Sequence, residues 1–218
     1  MIKAVLFDLD GTLIDSEKVV LGAYRYVLAK HGEKFDEKII RTFIGRTLED
    51  TYSALVPGHD PKLLSVLHRD WQIERKHLLQ GFDGLDNFLN ELTKTGLMLA
   101  AYTSASRKRT DAMIEVTRID KYINFILCGD EVANPKPHQE GVEIILKKLD
   151  VRPAQMVFVG DAEHDILSGK SAGVITIGIT HGFGTKKALQ DAGADYMVGN
   201  LEELQTLIQN INKKYATA

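Results

Sequence analysis

The chain has 218 residues, 44% of them apolar and 26% charged, with a formal net charge of −3. That is enough for one α/β domain with an insertion, or for two small domains, with ample material for a core. It leaves no basic footprint for nucleic acid and none for an anionic membrane surface.

Strand-like segments, short and rich in β-branched or apolar residues, are predicted at Lys3–Phe7, Leu97–Tyr102, Phe125–Cys128, Met156–Val159, Val174–Ile179 and Tyr196–Val198. Helical patterns separate most of them, which is the signature of crossover units in a parallel sheet covered on both faces. Gly96, Gly173 and Gly193 each follow a helical run and suit left-handed C-terminal caps. Asn200, with Glu203 three residues on, opens the last helix as a capping box.

One interval breaks the alternation. Between about Asp15 and Gly81 only helical patterns occur, with Asp36, Thr47 and Asp60 as N-caps and Pro61 in a first turn, where a missing N–H costs nothing. The expected architecture is a doubly wound, parallel-sheet α/β core of Rossmann-like type formed by residues 1–14 and 82–218. A small all-helical domain at 15–81 interrupts it, joined by hinges near Leu13–Ser16 and Leu79–Gly84. Cys128, in the apolar run NFILCG, reads as a core residue. The first acid arrives at Asp8, too early for a signal peptide, and no apolar run approaches a membrane span. The expectation is a cytoplasmic protein with no membrane or nucleic-acid partner, either monomer or homodimer.

Open parallel sheets bind their ligands at the carboxyl ends of the strands. Those ends carry Asp8 and Asp10 in FDLDGT, Thr103 and Ser104 in YTSAS, Lys136 in NPKPHQ, and Asp161 and Asp165 in GDAEHD. Four carboxylates against one ammonium leave a large excess of negative charge. Two like charges about 4 Å apart repel by roughly 4 kcal/mol at an effective dielectric of 20. Such a cluster requires a cation, and an all-oxygen site favours magnesium. The other residues suit a phosphate cradle. Gly11 permits a sharp turn that aims the N–H groups of Leu9 and Asp10 at an anion. Thr103 offers a hydroxyl, Ser104 a backbone N–H and Lys136 a compact positive charge. Taken singly, each has a structural explanation as a capped turn, a helix cap or a loop lysine; the chemical reading rests on all of them converging.

The set Asp8-x-Asp10-Gly11-Thr12, Thr103, Lys136 and Gly160-Asp161-x-x-x-Asp165 resembles the four signature motifs of the haloacid dehalogenase superfamily. The helical insertion resembles the cap that this superfamily carries between its first and second motifs. The resemblance implies that Asp8 is the nucleophile that becomes an aspartyl phosphate, and that Asp10 is first general acid and then general base. The latter role calls for a pKa raised by the crowded anionic site. Thr103 and Lys136 would hold the phosphoryl oxygens, with Lys136 also steadying Asp8. Magnesium would be held by the carboxylates of Asp8 and Asp161 and the backbone carbonyl of Asp10, with Asp165 supporting from behind. The second acid, Asp10, argues against the dehalogenases and against phosphonate hydrolysis.

TLIDS, PKPHQEG and GFGTKKALQDAGADYMVGNLEEL are most similar to phosphoglycolate phosphatases and their relatives; Gln139, where many relatives carry a second proline, departs with an expected effect on the local loop. The implied activity is a magnesium-dependent phosphatase acting on a small phosphorylated metabolite. Phosphoglycolate, a sugar phosphate, a nucleotide and pyrophosphate all remain open as substrates. A sugar phosphomutase is the alternative, and a phosphate-responsive regulatory module is a third reading. In the insertion, the FIGRTLED turn is the candidate for substrate choice, with Arg46 directed at an anionic group such as a carboxylate. His31, His59, His68 and His77 share no ligand spacing and are expected at the surface or in packing. Trp71 is expected in the core of the insertion, and His164 in a first helical turn.

Overall fold

A strand covered on both faces must be apolar throughout, and AVLF at Ala4–Phe7 (β1) is: all four residues are buried. Val5 and Phe7 enter one core and Ala4 and Leu6 the other, as side chains alternating across a sheet require. The computed structural model describes residues 1–216; positions 217–218 of the predicted core domain lie outside the described residues.

The remaining elements, in chain order, are β2 (Ile14–Asp15), α1 (Glu17–Lys30), α2 (Glu37–Arg41), α3 (Leu48–Leu55), α4 (Pro61–Glu74), β3 (Gln80–Gly81), α5 (Leu85–Lys94), β4 (Met98–Tyr102) and α6 (Arg107–Thr117). They continue with β5 (Phe125–Leu127), α7 (Glu140–Leu149), β6 (Met156–Gly160), α8 (Glu163–Ser171), β7 (Ile175–Ile179), α9 (Lys186–Asp191), β8 (Tyr196–Val198) and α10 (Leu201–Ala216).

The main sheet runs β5-β4-β1-β6-β7-β8, and every pairing in it is parallel. All six predicted strands are present, within a residue or so at their ends. The order reverses at β1, which lies between β4 and β6; this is the switch point where doubly wound sheets open a ligand crevice. On one face α5 and α10 supply Phe88, Leu89, Leu92, Leu204 and Ile208 to the core. On the other, α7 supplies Val142, Ile145 and Leu146. Cys128 is fully buried, as expected.

Helices α1–α4 pack around an apolar cluster of their own, built on Val20, Tyr24, Val27, Leu28, Ile40, Tyr52 and Leu64. The three predicted caps all close as hydrogen bonds: Asp36 accepts from Lys38 and Ile39, Thr47 from Asp50, and Asp60 from Lys62. Gly96, Gly173 and Gly193 all take positive φ. Asn200 caps Glu203 N–H, while the Glu203 carboxylate reaches back to Gly199 N–H, one residue earlier than a strict capping box requires. The two connections to the insert pair with each other: Ile14 opposes Gly81 and Asp15 opposes Gln80 in a short antiparallel ladder. Two residues per strand are too few to leave a periodic pattern, so the sequence shows only hinges there.

Candidate active site

Asp8 extends β1 by one residue, its N–H donating to Val159 of β6 at 2.9 Å. The chain then folds back at once, with the carbonyl of Leu9 accepting from Thr12, Leu13 and Ile14. Gly11 turns at φ +79°, and a methyl group there would overlap the carboxylate of Asp161. Glycine is therefore required twice, for the left-handed turn and for the close approach of Asp161 at the end of β6.

Of the residues expected to converge, Asp8, Lys136, Asp161 and Asp165 come together. Asp8 and Asp165 share Lys136, whose ammonium lies 2.6 Å from Asp8 Oδ1, 2.7 Å from Asp165 Oδ1 and 3.1 Å from the Tyr102 carbonyl. Carboxylate oxygens of Asp8, Asp161 and Asp165 lie within 4.8 Å of one another, and all three residues are buried. Asp161 accepts from the Thr12 hydroxyl at 3.2 Å and from Phe183 N–H at 2.7 Å. Asp165 has both oxygens engaged, the second by Ala162 N–H at 3.1 Å, so it serves as a brace for the lysine.

Burial dominates the ionisation of this group. It raises the Asp8 carboxyl well above its ordinary value; the Lys136 charge opposes the rise, and the Asp165 and Asp161 charges add to it. Asp161 is pushed up to about 7, first by burial and then by the charge of Asp165. Burial disfavours the charged form of Lys136, yet Asp165 and Asp8 outweigh it and hold the ammonium protonated. One ammonium is too little for three buried carboxylates. An all-oxygen, anionic donor set of this kind fits a hard divalent cation. The carboxylates to face it are Asp8, whose Oδ2 is not engaged by Lys136, and Asp161, held only by Thr12 and Phe183 and not by the lysine.

Asp10 departs from expectation. Its carboxylate is outside the triad and is gripped by both terminal nitrogens of Arg109 on α6, at 2.5 and 2.7 Å. Burial alone would raise its pKa, but the Arg109 charge and hydrogen bonds outweigh burial and hold it below the usual carboxylate range. The crowded site therefore does not raise Asp10 in this arrangement, because its carboxylate faces a guanidinium rather than the other acids.

Thr103 is buried and directly follows Tyr102, whose carbonyl Lys136 engages; its hydroxyl accepts from Ala105 N–H at 3.1 Å. Ser104 is exposed, with its carbonyl close against Gly129. Leu9 is fully buried. Arg46 is exposed, stacks over the ring of Phe43 at 5.2 Å, and forms no ion pair with a site acid among the described residues. Gly45 instead brings the insert onto the core: at φ +94° it lies so near the His164 imidazole that a methyl group would overlap the ring. His164 is in the first turn of α8, as expected, and burial lowers its pKa.

Two features escape the sequence reading. The loop after β7, THGFGT, wraps the site: Phe183 N–H holds Asp161, while the Phe183 ring packs against the cluster of the insert. His181 reaches the Thr12 carbonyl at 3.0 Å and stacks on Phe82. The strand-end rule, applied to the predicted strand Val174–Ile179, would have found this loop. Arg109 had no such signal, since RKRTDAM offers three basic residues and only the packing of α6 selects one. Trp71 is half-buried at the edge of the insert instead of in its core, packed on Gly22 and stacked with Tyr26. His68 is a packing residue, 2.8 Å from the Tyr52 hydroxyl. Gln139 precedes α7 and bridges to Glu143 at 2.7 Å.

The sheet order and the acids at its switch point define a doubly wound α/β enzyme with an acidic, cation-seeking centre. The chain belongs to the haloacid dehalogenase-like hydrolase family, whose model matches residues 5–179. Pyrophosphatase PpaX of Bacillus cereus is 25% identical over 213 residues, covering 97% of this chain and 99% of that protein. A haloacid dehalogenase-like hydrolase of Streptococcus pneumoniae superposes with a TM-score of 0.85 at 25% identity, covering 95% of this chain and 98% of the other. A Thermotoga maritima protein assigned as a β-phosphoglucomutase gives 0.77 at 27% identity, covering 96% of this chain and 100% of the other. No helix among the described residues is long and apolar enough to cross a membrane.

Proposed function

We propose that the protein is a magnesium-dependent phosphatase that hydrolyses small phosphate monoesters through an aspartyl phosphate on Asp8. The observation that carries this reading is the Lys136 bridge: one buried ammonium shared by Asp8 and Asp165, with Asp161 alongside. Lys136 engages Oδ1 of Asp8, which leaves Oδ2 to attack phosphorus.

Magnesium would be held by the Asp8 and Asp161 carboxylates and the Asp10 backbone carbonyl, where it would supply charge neutralisation and Lewis-acid polarisation of the phosphoryl group. The protein does the rest. The Thr103 hydroxyl, the Lys136 ammonium and the N–H groups of Leu9 and Ser104 hold the other phosphoryl oxygens. As the Asp8–phosphorus bond forms and the ester bond breaks, Asp10, released from the Arg109 fork and protonated from solvent, gives that proton to the leaving oxygen. Asp10 then takes a proton from water, whose oxygen attacks phosphorus, and the Asp8–phosphorus bond breaks to release inorganic phosphate. The helical insert, seated through Gly45 on His164, acts as a cap that excludes bulk water from the aspartyl phosphate.

Purified protein with magnesium is expected to release phosphate from at least one member of a panel of phosphoglycolate, sugar phosphates, nucleotides and pyrophosphate. Chelation should stop turnover reversibly, and Asp8→Asn should lower kcat on the order of 10⁴-fold or more. Release from none of them overturns the proposal. The similarity to the Thermotoga protein supports a sugar phosphomutase as the second reading. Bisphosphate-dependent isomerisation with little net phosphate release would select it.

A further inference from the structure

Both oxygens of Asp10 are taken by the Arg109 fork, so the carboxylate cannot serve a leaving oxygen while the pair is closed. Arg109 has only 8% of its side chain exposed, and Asp10 has 21%. If Asp10 swings away alone, it strands a buried guanidinium, which is strongly destabilising unless another anion takes the vacated place. Arg109 also lies at the seam between core and insert. Its neighbour Lys108 pairs with Asp70 of α4, and Glu115, on the same helix, pairs with Lys76 just beyond α4. The helix that carries Arg109 is thus fastened to the insert on both sides of it. The fork is thereby carried on a helix that joins core and insert, with its guanidinium buried.

We propose that Arg109 is a substrate-reading residue: an anionic group carried by the substrate beside its phosphoryl ester replaces Asp10 in the guanidinium fork and frees Asp10 for proton transfer. This rests on the phosphatase reading above and narrows it to esters or anhydrides that bear a second anion, a carboxylate or a second phosphate. A neutral leaving group offers Arg109 nothing, so its hydrolysis carries the full cost of an unpaired buried cation. The exchange conserves charge in the fork, since one anion leaves as another enters, and the released Asp10 carboxylate takes from solvent the proton that it passes to the leaving oxygen. It also forms no covalent bond. The signature is selectivity between charged and neutral substrates, not a requirement for turnover as such.

The test compares kcat/KM for 2-phosphoglycolate, pyrophosphate and ethyl phosphate, using the full chain with magnesium. Wild type should favour at least one of the two charged substrates over ethyl phosphate by about tenfold or more; which one it favours names the anion. In Arg109→Gln that ratio should fall toward one, and Arg109→Lys, which keeps the charge but loses the fork, should recover part of it. Equal kcat/KM for charged and neutral substrates in wild type, or an unchanged ratio in Arg109→Gln, overturns the proposal. If Arg109→Gln does not fold, wild type alone decides through calorimetry with non-hydrolysable ligands. Phosphonoacetate or methylenediphosphonate should bind about tenfold or more tighter than propylphosphonate, and equal binding overturns the proposal. Absence of turnover on every substrate would count against the phosphatase reading, whereas the binding comparison would still judge Arg109.

Discussion

The ammonium of Lys136 lies 2.6 Å from Oδ1 of Asp8, and neither side chain has more than 8% of its surface exposed. Lys136 also holds Asp165, so a single cation neutralises part of a three-acid cluster gathered from the ends of β1 and β6 and the first turn of α8. Removing it as Lys136→Met leaves buried carboxylates without their counter-charge. The expected loss of stability is about 3–5 kcal/mol, measured by urea denaturation in the presence of a chelator. Added magnesium should return part of that loss in the variant.

His68 sets a pH limit on the insert. It is buried, 2.8 Å from the Tyr52 hydroxyl, with its ring edge-on to Tyr24. Burial first, and then the charges of Arg109 and Arg69, push its pKa down from 6.5 to about 3. The folded pKa is below the unfolded one, so the stability from the neutral imidazole is present above pH 6.5 and is lost as pH falls toward 3. This single group contributes a slope of about 1.4 kcal/mol per pH unit inside that window. Denaturation midpoints followed from neutral to acid pH should flatten by that contribution in His68→Gln.

Gly45 and His164 form a ball-and-socket contact between insert and core. A side chain at Gly45 would meet both a left-handed backbone at φ +94° and the imidazole ring. Gly45→Ala is therefore expected to cost about 1–2 kcal/mol through the backbone alone, and to lower kcat/KM further by holding the insert off the site. Adding His164→Ala removes the overlap but not the backbone strain. The double variant should recover much of the lost kcat/KM and little of the lost stability, as read by steady-state kinetics beside thermal melts.

What could be read from the sequence follows from the range of each interaction. The six strands of the sheet were legible because apolar runs between helical periods are local patterns. Asp8, Lys136, Asp161 and Asp165 were legible because parallel topology brings strand ends together whatever the side-chain details. The β2–β3 ladder was not, since two residues cannot show a period. Arg109 was not, because its partner lies on β1's turn and only the seating of α6 joins them. Asp10 illustrates the consequence: its place in the motif is plain, but the direction of its pKa depends on a residue that no local signal selects. Phe183 was within reach, had the strand-end rule been carried to β7.

Retention or inversion at phosphorus decides the central claim. Two successive in-line displacements, the first by Asp8 and the second by water, restore the starting configuration. Hydrolysis of a phosphate ester made chiral with oxygen isotopes and sulfur should therefore yield thiophosphate of retained configuration. Inversion would mean that water attacks the ester directly, and Asp8 would not be the nucleophile.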